Sequence, residues 1–158
     1  MAETQEPRDF TAEAADLLRS VRVGTLATVA DGAPYAALVT PALGADGAPL
    51  LLLSELSAHT RHLQANPACC LLIVGPAASE NPQTAPRLAL TCRAALEADP
   101  AARPHYLATH PYAALYAGFQ DFAFWRLEIE AAHYVGGFAA AAAIDIAALR
   151  QEINPEMT

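Results

Sequence analysis

Two Asp-Gly pairs, Asp31-Gly32 and Asp46-Gly47, constrain this chain more than any other feature. Each stands between apolar runs: VGTLATV comes first, then PYAALVTPAL, then LLLLS. Asp-Gly in that setting is a strong hairpin signal, because both central residues of a tight two-residue turn need positive φ. An antiparallel meander of three strands is therefore predicted over residues 23–54. Such hairpins exclude a doubly wound parallel sheet, which needs alternating βα units.

The rest of the chain extends this pattern. Residues 9–21, DFTAEAADLLRSV, set Phe10, Ala14, Leu17, Leu18 and Val21 on one helical face, with Thr11 or Asp9 as cap. A short helix is expected over 57–66, stopped by Asn66-Pro67, since a residue before proline avoids the helical region. ACCLLIV (68–74) reads as a fourth strand and GPAASENPQTAP (75–86) as a loop. RLALTCRAALEA (87–98) alternates as a fifth strand, and residues 100–117 are helical but interrupted at Pro104 and Pro111. A sixth strand, 122–138, ends at Gly136-Gly137, and a last short helix follows from Ile144. The expected fold is mainly β: a six-stranded antiparallel split barrel with flanking short helices. It forms one domain over 1–158, with flexible ends at 1–8 and 151–158.

A chain of 158 residues with 54% hydrophobic content can bury a core, although much of that share is alanine. No window offers the roughly 18 uncharged apolar residues of a membrane span. The opening MAETQEPRDF has three acids and no apolar core, so it does not read as a signal peptide, and a cytoplasmic protein is expected. A formal charge of −8 argues against nucleic acid or an anionic membrane as partner. All nine basic residues are arginine. Schiff-base chemistry and the phosphate-binding P-loop both need lysine and are excluded. A phosphorylated ligand would be held by arginine, hydroxyls and backbone amides. The three cysteines, Cys69, Cys70 and Cys92, form no CxxC and read as reduced structural thiols.

One segment concentrates hydrogen-bonding side chains: LLLSELSAHTRHLQANP (51–67). His59, His62, Cys69 and Cys70 make a poor zinc set, because adjacent cysteines on a strand face opposite ways, and no metal is expected. No G-x-S-x-G elbow is present, and no acid–base residue stands out. Ser57 is a candidate N-cap of the short helix, leaving the amides of Ala58, His59 and Thr60 free for an anion. Ser54, Thr60 and Arg61 add donors. An ordinary capped surface helix is the preferred explanation of the segment at this point.

The order of motifs resembles the FMN-binding split-barrel proteins related to pyridoxamine 5′-phosphate oxidase, and most of all their haem-utilisation-like branch. The carrying pieces are VGTLATV-PYAALVTPAL, LLLSELSAHTRHLQANPACCLLI, NPQTAPRLALTCRAAL and DFAFWRLEIEAAHYVGGF, over about residues 10–140. The resemblance implies a homodimer with FMN at the subunit interface, acting as a flavin-dependent oxidoreductase. It places Ser54, His59 and Thr60 in a phosphate cradle with Arg61 beside it, and leaves His62 on the surface. Val39 and Thr40 match the backbone along the flavin ring, and Arg87, Trp125 and Arg126 match positions near the cofactor or facing subunit. Three departures stand against particular activities. The lysine and C-terminal Arg-x-His of pyridoxamine phosphate oxidase proper are missing, the family's glycine after Gly-Gly-Phe is Ala139, and a bare alanine run follows. The alternatives are a haem-binding or haem-utilisation protein on the same fold, with His105, His110 or His133 available, and a flavin-binding scaffold that turns nothing over.

Overall fold

The computed structural model describes residues 7–156. Helix α1 (Phe10–Ser20) begins where the Asp9 carboxylate accepts from the amides of Thr11 and Ala12. Those bonds satisfy two of the donors that a helix start leaves orphaned. The buried face of α1 is Ala14, Ala15, Leu17 and Leu18.

Strands β1 (Gly24–Ala30) and β2 (Ala33–Val39) form the first predicted hairpin. At its turn Asp31 and Gly32 take φ of 51° and 77°, the left-handed conformations such a turn requires. The second Asp-Gly turn joins β3 (Ala42–Leu43) to β4 (Pro49–Ser54), with Gly47 at φ 81°. Helix α2 (Ala58–Ala65) leads into β5 (Ala68–Val74), and β6 (Arg87–Leu96) follows. Helix α3 (Ala102–Thr109), a 3-10 turn over Pro111–Leu115 and the long β7 (Phe122–Val135) come next. The described chain closes with β8 (Ala141–Ile144) and α4 (Ile146–Ile153).

All pairings are antiparallel, in the order β2-β1-β5-β6-β7-β4-β3, with β8 also on β7. The expected mainly-β split barrel with short helices is what forms, but with eight strands among the described residues rather than six. Two differences account for the count. PYAALVTPAL is not one strand: it breaks at Thr40-Pro41, so β2 and β3 lie at opposite ends of the sheet and the meander is interrupted. The alanine run is not featureless either. The sixth predicted strand stops at Val135 rather than 138, and after a Gly-Gly turn Ala141–Ile144 returns along it as β8. With 14 residues, β7 is long enough to pair with β4 at its start and β8 at its end.

The main core lies inside the curled sheet. Leu26, Leu51, Leu71, Leu88, Leu90 and Leu127 are fully buried there, with α1 and α4 packed over it. β4 is buried on both faces, which explains its unbroken leucine run. Leu51 and Leu53 enter the main core, while Leu50 and Leu52 pack with Tyr106 and Ala102 of α3 in a second, smaller core. A bulge places Cys92 opposite Ile129 and Thr91 opposite Ala131. The skipped Glu130 stays exposed, so the buried face of β7 resumes at Ala132 and Tyr134.

The ends expected to be flexible are in part tied down. Arg8 pairs with Glu13 at 2.5 Å, and Asn154 donates from Nδ2 to the Ala45 carbonyl at 2.5 Å, just past the end of α4. The remaining terminal residues, 1–6 and 157–158, lie outside the described residues.

Ala139 sits at φ 56°, a left-handed conformation that costs an L side chain about 1–2 kcal/mol and glycine almost nothing. Ala139→Gly is therefore expected to raise stability by about 0.5–1 kcal/mol after glycine's greater loss of chain entropy. A higher urea midpoint at unchanged slope checks this; a lower one contradicts it.

Candidate functional site

The two free edges of the curled sheet do not close by hydrogen bonding, yet they approach each other where β2 ends. There Leu38, Val39 and Thr40 share one cleft with Leu51–Ser54, Ser57, His59 and Phe122. Its volume is about 210 Å³. The walls are mostly apolar, and the polar groups gather at one end, around Ser54, Ser57 and His59.

The backbone at the opening is held from outside the sheet. Pro41 has no N–H to offer a ladder, and the carbonyls of Thr40 and Pro41 have no strand opposite them. Tyr106 is buried on α3 and donates its hydroxyl to the Thr40 carbonyl at 2.8 Å; the Thr40 hydroxyl lies 2.9 Å from the same phenol oxygen. Burial pushes the Tyr106 phenol up to about 12, so it stays a donor at any physiological pH. His110, also buried, is 2.9 Å from the Pro41 carbonyl through Nε2, and since a carbonyl only accepts, that nitrogen carries the proton. Its Nδ1 faces the Tyr112 hydroxyl at 3.2 Å. Both ring nitrogens are committed, which removes His110 as an iron ligand.

At the polar end, Ser57 occupies the N-cap position of α2 but makes no side-chain capping bond. The capping role expected of it is thus unfilled, and the first-turn amides have no side-chain acceptor. The Ser54 hydroxyl donates to Asp121 Oδ2 at 2.6 Å and accepts from the Leu56 amide at 3.1 Å. His59 is half-buried on the cleft wall. Burial, and secondarily the neighbouring His62, hold its pKa below the ordinary histidine value, so the ring is neutral near pH 7.

The structure gathers some of the expected site residues and separates others. Val39, Thr40, Ser54 and His59 meet in the cleft. Thr60 is fully buried on α2, and its hydroxyl has no hydrogen-bond partner. Arg61 is exposed and turns its guanidinium to the Leu56 carbonyl at 2.8 Å. Arg87 lies at the far end of β7's register, opposite Val135, where it donates to the carbonyls of Gln83 and Ala85. Trp125 is buried in the main core. Arg126 points to the other face, into a second cleft of about 340 Å³ lined also by His105, Glu97 and Asp99. There it is balanced by Asp46, Glu128 and Glu97, and its pKa is raised chiefly by Asp46.

Three sequence readings change. His62 is not a bare surface residue: its Nδ1 is 3.0 Å from the hydroxyl of buried Thr28, and Tyr35 packs edge-on against its ring. Asp121 was invisible as a site residue, because its partner Ser54 is 67 positions away. Phe122 was assigned to a strand but not to the cleft it lines. Among the described residues, no group of three or more metal-binding side chains forms. Burial pushes the Cys69 thiol up to about 11 and raises Cys92 further, in keeping with inert thiols. No helix among the described residues is long and apolar enough to cross a membrane.

A curled antiparallel sheet left open between β2 and β4, with a cleft at the opening, defines the split-barrel class. Residues 10–136 match the Pyridoxamine 5′-phosphate oxidase family, and the chain belongs to it. It is 43% identical over 114 residues to the chloroplastic heme oxygenase HOZ of Arabidopsis thaliana, covering 70% of this chain and 34% of that protein. A heme binding protein from Mycobacterium smegmatis superposes with a TM-score of 0.85 at 31% identity, covering 92% of this chain and 62% of that one. Campylobacter jejuni ChuZ shares the fold with a TM-score of 0.77 at 18% identity, over 89% of this chain and 62% of that one. The chain thus spans about a third of the curated relative and under two thirds of both structural ones.

The depressed pKa of His59 has a consequence for stability. Between the folded and unfolded values, the unfolded chain binds the proton more readily, so stability rises with pH through the window just below the ordinary histidine value. Above that window the contribution is constant, and it is lost as pH falls through the folded value. His59→Gln should flatten this part of the profile. The check is the urea midpoint of both proteins at about pH 5 and about pH 8: the wild type should lose more on acidification, and equal losses would contradict the assignment.

Proposed function

We propose that the cleft between β2 and β4 binds haem and that the chain is a haem-binding protein of the split-barrel family. The observation that carries this is His59: a half-buried imidazole, neutral near pH 7, on the wall of an apolar cleft. A neutral imidazole nitrogen is the form that ligates iron. Two relatives whose names state haem binding or haem oxygenation add support, at 43% and 31% identity. Leu38, Leu53 and Phe122 supply apolar wall for the macrocycle. Bound haem would bring iron redox chemistry; the protein's part is the iron-facing ligand, the apolar enclosure and exclusion of water.

A cleft of about 210 Å³ is smaller than the roughly 300–1,000 Å³ of pockets that enclose a whole ligand. A second copy of the chain would complete it. β2 leaves most of its residues exposed on both faces, and Leu38, Leu56 and Phe119 are exposed apolar side chains. A homodimer with the ligand at the subunit interface accounts for both features, and it would let Arg87 or Arg126 of one copy approach the cleft of the other, whereas Trp125 stays in the core of its own copy.

FMN is the second reading. The uncapped start of α2 favours it, since unpaired amides and the helix dipole suit a phosphate. Under that reading Ser54, His59, Thr60 and Arg61 form the cradle, Val39 and Thr40 follow the ring, and the protein is either a flavin-dependent oxidoreductase or a non-enzymatic carrier.

Titration with hemin, followed by absorbance, separates the two. A saturable Soret band is expected at one haem per chain or per dimer. His59→Ala should shift the band and weaken binding at least about tenfold. No Soret band, with flavin absorbance appearing on addition of FMN, would overturn the haem reading in favour of the second.

A further inference from the structure

Ser54, at the polar end of the cleft, is bonded to a charge that neither reading uses. Asp121 precedes β7, and its backbone is fixed by the Glu55 amide, which donates to the Asp121 carbonyl at 2.7 Å. Its carboxylate accepts the hydrogen bond of the Ser54 hydroxyl at 2.6 Å. Among the described residues, no basic side chain forms an ion pair with it. Arg61 is directed to the Leu56 carbonyl instead.

A serine hydroxyl has one proton to donate. While that proton is held by Asp121, Ser54 offers an incoming anion only lone pairs. A phosphate that took the proton would displace the carboxylate's hydrogen bond and leave two negative groups side by side in a half-buried cleft. Like charges set against each other at a binding surface are strongly disfavoured. The donors left are the first-turn amides of α2 and the Ser57 hydroxyl, all neutral, since the Thr60 hydroxyl is fully buried and the chain contains no lysine.

We infer that Asp121, acting through Ser54, determines the ligand class of the cleft: it excludes a phosphate dianion and leaves the apolar walls to a ligand that presents no phosphate there. This rests on the cleft being the ligand site. It accounts for a haem preference on a fold whose helix α2 would otherwise be ready for a phosphate. Asp121 is a specificity residue and takes no part in chemistry.

The test uses Asp121→Asn, which keeps an acceptor for the Ser54 hydroxyl and removes the charge. FMN and riboflavin differ only in the phosphate, so both are titrated into wild type and variant by flavin fluorescence quenching, with hemin titrated in parallel. The expected result is at least about a tenfold gain in FMN affinity on substitution, with riboflavin and hemin within about twofold of wild type. Unchanged or weaker FMN binding overturns the inference, and so does an equal gain for FMN and riboflavin. The hemin arm is read separately: loss of hemin binding in wild type would refute the haem reading without touching the FMN comparison. Thermal melting verifies that the variant is folded. Asp121→Ser, which also removes the charge and keeps a small acceptor, must give the same pattern.

Discussion

The crossing of the chain from β2 to β3 is the constraint on which the rest depends. At Thr40-Pro41 the backbone leaves one edge of the sheet and joins the other, and proline denies it a ladder bond at that step. Two buried side chains from the α3 region, Tyr106 and His110, take up the stranded carbonyls. Their hydrogen bonds satisfy the backbone where the strand is interrupted. Were β2 to continue into β3 as one strand, its end would not stand across from β4, and the cleft would not exist.

The same α3 region explains the odd burial of β4. A strand at the lip of a barrel ordinarily shows one face to water, but here Tyr106 and Ala102 of α3 and Ala113 of the following 3-10 turn cover the outer face. The lip is therefore rigid on both sides, and its last residue, Ser54, is held by Asp121 and the Leu56 amide. Charge is handled differently at the two clefts. Around Arg126 three carboxylates surround one guanidinium, and Arg150 pairs with one of them, so each of these charges has a partner of opposite sign. At the β2–β4 opening the Asp121 carboxylate forms no ion pair among the described residues and is held by the Ser54 hydroxyl alone.

Local physics made much of this legible. Both Asp-Gly turns, the cap at Asp9, the stop at Asn66-Pro67 and the register-ready alternation of β6 follow from residues within a few positions of one another. What escaped depends on partners far away in the chain. The break at Thr40-Pro41 is stabilised by Tyr106, 66 positions on. Ala141–Ile144 becomes a strand only because β7 offers it an edge, alanine having little β preference of its own. The bulge at Glu130 is a relation between two strands and leaves no mark in either. At the cleft, Ser54 is legible as a candidate from the crowding beside α2 and His59 through the family resemblance, whereas Asp121 is defined by a contact across 67 residues. The cap role given to Ser57 failed because its position is right but its side chain makes no bond to the helix amides.

A direct competition tests the central claim, that the cleft between β2 and β4 is made for haem and set against phosphate. The purified protein is mixed with equal, saturating hemin and FMN, freed of unbound ligand by gel filtration, and its absorbance spectrum recorded. The account predicts a Soret band with negligible flavin absorbance. Flavin bands without a Soret band would contradict it.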